Sequence, residues 1–165
     1  MTGGVGVFMV LDRMADVARG VAALTTTRVY VGIPAAKTER KDDEELEITN
    51  ALLGYVHENG APEHNIPARP WLKPGVASVQ NEITGLLRQA GQKALEGKVE
   101  SITRIYNAVG LVAQNAVKKK ITDGPFAALS PRTLAARRAR GRTGTKPLID
   151  TGQMRNAVTY VVRDN

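Results

Sequence analysis

Four prolines, at positions 62, 67, 70 and 74, fall within thirteen residues, and neither a regular helix nor a central strand can run through them. Proline fixes φ near −65°, removes an N–H donor and biases the residue before it toward extended geometry. The sequence therefore predicts a stiff, extended connector over residues 60–75, with the regular elements built on either side of it. Before it, Thr49 or Asn50 can cap a short helix whose buried side is Leu52, Leu53, Tyr55 and Val56, and Asn59-Gly60 is a common helix stop. After it, Val76, Val79, Ile83, Leu86, Leu87, Ala90 and Ala94 recur at helical spacing over 76–95. Gly85 and Gly91 weaken that helix by roughly 1 kcal/mol each relative to alanine, or mark close packing.

A second helix is predicted over 99–121, with Ile102, Ile105, Tyr106, Val109, Val112, Ala113, Ala116 and Val117 on one side. Adjacent amphipathic helices of this kind are expected to pack as an antiparallel hairpin. Val7, Leu11, Met14, Val17, Ala18 and Val21 predict an N-terminal helix, and the β-branched run 28–33 reads as a strand closed by Pro34. Ser130 as cap and Pro131 at the first helical position open a basic helix running to about Arg140. Residues 157–163 alternate like a strand that pairs with 28–33 or with a neighbouring subunit. The expected fold is α+β: several amphipathic helices on a small, mostly antiparallel sheet. It is read as a single domain over 1–165, with an acidic loop at 37–47, an extended arm at 60–75 and a flexible basic loop at 141–147.

Charge is uneven. Residues 1–60 carry six Lys/Arg and nine Asp/Glu, whereas residues 61–165 carry seventeen and seven. Residues 118–146 alone hold nine basic residues and one acid, Asp123, with Lys118, Lys119, Lys120, Arg137, Arg138, Arg140 and Arg142 forming a basic surface. Such a field favours phosphate or acidic protein surfaces, and a sign split along one chain lets copies meet head to tail in a ring. The acidic run 37–47 reads as a solvated loop, or as a contact surface that orders on assembly. Phe126 is the only aromatic in the basic segment, which disfavours stacking on single strands and leaves non-specific backbone contact with DNA. With no cysteine, disulfides, thiolate zinc sites and cysteine nucleophiles are excluded. Residues 1–10 lack the basic region of a signal peptide, and no apolar run approaches the ~18 residues that span a bilayer, so the chain is expected to be soluble with no membrane partner.

Motifs with chemical potential fail on context. Residues 148–152 match the apolar-apolar-Asp-Thr-Gly signature of aspartic proteases, but only thirteen residues follow where most of a β-barrel is required. Asp150 is read instead as the cap of a helical turn over 151–156. His57, Glu58, Glu63 and His64 have metal-ligand chemistry without zinc-protease spacing, and His57 is expected to end its helix and bond a loop carbonyl. The glycines at 3, 4 and 6 follow no strand, so a dinucleotide fingerprint fails as well. No enzyme activity and no cofactor are expected.

Three further stretches occur in order: GYVHENGAP at 54–62 with NIPARPWLKP at 65–74, LSPRTLAAR at 129–137, and PLIDTGQMRNAV at 147–158. Together they resemble the neck and tail-completion (head–tail joining) proteins of long-tailed bacteriophages, across about residues 48–163. That family typically has an aromatic where this chain has Asn59, and Phe where it has Trp71. The resemblance implies a virion structural protein of the head–tail junction, in a neck, tail-completion or tail-terminator role. It would be assembled in the host cytoplasm as a homo-oligomeric ring around the DNA passage. Its partners would be copies of itself, head-closure or connector proteins, tail proteins and, non-specifically, the genome. Arg69, Trp71, Leu72 and Asp150 are the expected interface residues, with Arg69 presented on the stiff arm and Trp71 and Leu72 anchoring it on the body or on the next subunit. The alternative reading is a basic nucleic-acid-binding protein.

Overall fold

The computed structural model describes residues 4–37, 39–40 and 48–164; most of the predicted acidic loop at 37–47 lies outside them. The architecture is α+β, with seven helices among the described residues and a two-stranded antiparallel sheet. In chain order the elements are α1 (Gly4–Thr26), β1 (Thr27–Gly32), α2 (Asn50–Asn59), α3 (Leu72–Ala77), α4 (Gln80–Leu95), α5 (Val99–Asp123), α6 (Pro131–Ala139), α7 (Gln153–Ala157) and β2 (Thr159–Asp164). β1 pairs with β2, one of the two pairings that the alternation left open, and Thr27 Oγ1 donates to Asp164 Oδ1 at 2.7 Å.

The chain, expected as a single domain, divides into two compact units. One takes the chain up to Tyr30, Gln80–Val112 and the chain from Tyr160; the other takes Val31–Val79 and Ala113–Thr159.

The first unit is built on small residues. Ala90, Ala94, Ile102 and Tyr106 form its buried core, with Ala23, Leu24, Val29, Ile105 and Val162 packed around them. The Tyr106 hydroxyl donates to the Leu24 carbonyl at 2.6 Å, which satisfies the one polar atom of that buried ring. α4 shares its buried core with Ile102 and Tyr106 of α5, the expected hairpin partner, and α1 also packs closely on α4. The reason is local. Gly20 meets the Ala94 backbone where a Cβ would overlap the carbonyl, and Gly97 ends α4 in a left-handed turn (φ 71°) where a Cβ would come 2.6 Å from Asp16 Cβ. Gly85 and Gly91, by contrast, face open space, so they mark no close packing.

The second unit surrounds Trp71. Trp71, Val117, Ile121, Leu148, Met154 and Val158 are buried together, flanked by Val31, Ile33, Leu53, Leu72, Val76, Phe126 and Ile149. Gly54 on α2 lies under the indole, whose Nε1 donates to the Gly54 carbonyl at 2.9 Å. Gly75 sits where a Cβ would come 2.8 Å from Val117 Cα, so α3 and α5 approach backbone to backbone. The helix predicted over 76–95 is in fact two: α3 starts earlier, at Leu72, and the chain breaks at Ser78 and Val79 before α4 begins at Gln80.

The two kinds of glycine in the first unit give a paired prediction. Gly20→Ala should destabilise the chain by about 1–3 kcal/mol, because the added methyl has backbone against it. Gly85→Ala, in an open helical position, should stabilise by up to ~1 kcal/mol. Urea unfolding of both variants is the check, and equal effects would show that α1 does not pack on α4 through Gly20.

Candidate functional site

The residues singled out in the sequence fall in the second unit, and Arg69, Trp71 and Arg137 among them face inward. The segment 60–75 is not a free arm. Gly60 turns the chain at φ 78°, Pro62–His64 form a single 3-10 turn, Asn65 is left-handed at φ 54°, and Ala61 bridges Ile66. The prolines stiffen this hairpin-like fold so that it doubles back on α2, with Arg69 N donating to the His57 carbonyl at 2.7 Å. Arg69 is 5 % exposed and Trp71 3 % exposed. Arg69 Nε donates to the Ala127 carbonyl at 2.8 Å and one terminal nitrogen to Ala128 at 3.0 Å. Both residues therefore anchor the segment on its own chain. Leu72, also partly buried, opens α3.

Glu58, named in the sequence only as a metal-type side chain, has a defined role here. Its Oε2 accepts from Trp71 N at 2.6 Å and Leu72 N at 2.7 Å, and its Oε1 accepts from Lys73 N at 3.1 Å. A carboxylate that receives three N–H groups at a helix start satisfies donors that have no partner within the helix and complements the helix dipole. No local signal announced this cap, because it acts across thirteen residues of sequence.

Arg137 is the second inward-facing cation. Expected on a basic surface, it is 8 % exposed. Its Nη1 donates to the carbonyls of Gly144, Lys146 and Ile149 at 2.9, 2.9 and 3.1 Å, and Nη2 donates to Pro147 at 3.3 Å. Nε lies 3.3 Å from Asp150 Oδ1, an ion pair without hydrogen-bond alignment, since Oδ1 is enclosed and has no hydrogen-bond partner. Asp150 Oδ2 accepts from Arg142 Nη1 at 2.6 Å. These bonds correct two expectations. The loop after Gly141 is pinned by Arg137 rather than loose, and Asp150 is an ion-pair partner rather than a helix cap. The following α7 starts from Gly152 at φ 80°, whose carbonyl accepts from Asn156 N.

The rest of the predicted basic surface is mixed. Lys119 pairs with Asp123 at 3.0 Å, Lys120 sits 5.4 Å from the Phe126 ring centroid, and Lys118 is half-buried. Arg138 and Arg140 are exposed.

His57 lies in the last turn of α2, with Nδ1 enclosed and unpartnered instead of bonded to a loop carbonyl. Burial first, then the charges of Arg69 and Arg137, lower its pKa to about 4. Burial and the neighbouring Arg137 also lower that of Arg69. Beside His57 a cleft of about 230 Å³ opens, lined by apolar side chains such as Leu53, Leu129, Leu148 and Met154 and by Arg40, Arg140, Arg142 and Asp150. The chemistry assembled here is carbonyl-binding and carboxylate-binding. Among the described residues no three His, Cys, Asp or Glu side chains gather as a metal site.

Two predictions follow from this geometry. Arg137→Ala should destabilise by about 3–5 kcal/mol, because it leaves four carbonyls and Asp150 without their cation. Arg137→Lys should recover little of that, since one ammonium cannot reach the whole set; denaturant midpoints of the two variants decide it. For His57 the folded pKa lies below the ordinary 6.5, so the unfolded chain binds the proton more readily. The stability that its neutral form confers is complete above about pH 6.5 and is lost as the pH falls toward 4, by about 3 kcal/mol. His57→Gln should flatten that part of the stability–pH curve, and parallel curves for variant and wild type would refute the assignment.

No protein-family model, curated protein or solved structure matches the chain.

Proposed function

We propose that the chain is a non-catalytic structural protein of a long-tailed phage virion. It would act at the head–tail junction in a neck, tail-completion or tail-terminator role, as a homo-oligomeric ring around the DNA passage. One observation carries this reading beyond the resemblance itself. The stretches that carry the resemblance lie in one unit and are fastened there by side chains of the first and second. Glu58 of the first holds residues 71–73, Arg69 binds the carbonyls of Ala127 and Ala128 just ahead of the second, and Arg137 of the second binds carbonyls leading into and within the third. Side chains fixed in this way define a rigid building block, which suits a subunit that must present the same faces to every neighbour. None of the described helices is long and apolar enough to cross a membrane.

Arg132, Arg138 and Arg140 are exposed on or at the end of α6 and favour the second reading, a nucleic-acid-binding protein. Such binding would fall steeply with salt.

The test is genetic and structural. Deleting the gene from a phage that carries it should leave filled heads and separate tails, and cryo-electron microscopy of wild-type virions should show a ring of this fold at the junction. Normal joined particles from the deletion would overturn the proposal. Steep salt-dependent DNA binding by the purified chain, without rings, would favour the second reading.

A further inference from the structure

Among the described residues the sheet has two strands, so each strand pairs along one edge and leaves its other edge without a neighbour. In the first unit β1 up to Tyr30 runs beside β2 from Tyr160, and among the described residues no backbone hydrogen bond joins either strand to a further element. An unpaired edge carries a row of N–H and C=O groups ready to accept another strand. Chains that must prevent this place lysine, proline or an inward charge there. Here Val29-Tyr30 and Tyr160-Val161-Val162 carry none of these, and the charges Arg28 and Arg163 sit together at one end of the antiparallel pair. Val29 and Val162 pack into the core, so the alternation of a strand puts Tyr30 and Val161 on the outer face, where Tyr30 is 53 % exposed. The sheet is open along both edges and apolar beside them.

We propose that these two edges close on one another between copies, the free edge of β1 in one copy pairing with the free edge of β2 in the next. The inference rests on the ring reading and deepens it, by naming the contact that joins one copy to its neighbour. Other occupants leave edges open. A foreign strand added to either edge brings a new unpaired edge of its own. A twofold pair through β1 and β1, or through β2 and β2, leaves the other strand of each copy uncovered. Only the β1-to-β2 contact, repeated head to tail around a closed ring, pairs every edge. It also continues the antiparallel alternation, since β1 and β2 already run in opposite directions. Each strand has six residues. That gives an edge of ~20 Å, too short to bury the roughly 1,000 Å² of a stable lone pair, so closure of the ring holds the copies together.

The experiment uses the full chain and proline, which removes a single N–H. Successive N–H groups of a strand point to opposite edges. In each of the pairs Val29→Pro with Tyr30→Pro, and Val161→Pro with Val162→Pro, one substitution therefore breaks a bond inside the sheet and the other removes a donor from the free edge. Thermal unfolding separates them, since only the free-edge variant melts close to wild type. By sedimentation velocity over a concentration series, wild type should form rings, and each free-edge variant alone should associate about tenfold more weakly or worse. An equimolar mixture of the β1 and β2 variants should form pairs and go no further, because each chain then offers one usable edge. Rings from either free-edge variant overturn the inference and leave the ring reading standing. Dimers of one variant alone mark a twofold contact and overturn it as well. Should no proline variant melt like wild type, hydrogen exchange of the wild-type chain decides. The free-edge amides within 28–30 and 160–163 should slow on assembly, and unchanged rates overturn the inference. If wild type is monomeric in solution but forms a ring in virions, β1 of one copy must run beside β2 of the next in the virion map, and any other contact there refutes the pairing. A chain that forms no ring in either setting ends the ring reading and the inference with it.

Discussion

The second unit depends on a buried guanidinium. Arg137 lies among backbone carbonyls that would otherwise have been left without donors by an irregular loop, and its charge is offset by Asp150. A cation removed from water is tolerated only when nearly every N–H finds an acceptor and a counter-charge is near. That requirement runs in both directions. The loop through 144–149 takes its path because Arg137 collects its carbonyls, and α6 is held in place because its one inward arginine cannot be withdrawn. Leu148, which enters the Trp71 core from that loop, is positioned as a consequence.

The proline segment obeys the same logic with different groups. Proline supplies no N–H, so a segment with four of them cannot join a sheet and must find other ways to fix its remaining donors and acceptors. Glu58 receives the three consecutive donors at residues 71–73, and Arg69 donates outward to the chain before α6. Trp71 adds the largest apolar surface in the unit and a satisfied indole N–H. Stiffness, which could equally serve an arm reaching away, here fixes a fold that closes on itself.

How much of this could be read in the sequence follows from how local each cause is. Thr49 and Ser130 cap α2 and α6 through their own next residues, at Leu52 N and Thr133 N, so both helix starts were legible. Both strands were legible from residue type and alternation, which left open whether they pair with each other. The break at Ser78 and Val79 was not, because Val76 and Val79 keep the apolar spacing through it. The packing of α1 on α4 escaped for a related reason: hydrophobic periodicity says which face is buried, while Gly20 and Ala94 decide which helix comes close enough to cover it. In the candidate site, residue types and motif positions were legible, but the direction of each side chain was not. Arg137 and Arg138 are adjacent cations on one basic helix, and only the loop carbonyls that close over one of them make the first structural and leave the second exposed.

That distinction changes what the net charge of +7 means for partners. Arg69 and Arg137 are consumed inside the unit, Arg142 and Lys119 are paired with Asp150 and Asp123, and Lys146 Nζ donates to the Thr122 carbonyl. The basic segment is therefore a weaker uniform field than its composition implies, and its outward charge is concentrated at Arg132, Arg138 and Arg140 on and beside α6. A diffuse field would favour any polyanion through counterion release. Burial and pairing have instead left a generally basic sequence with its outward charge at a few fixed positions.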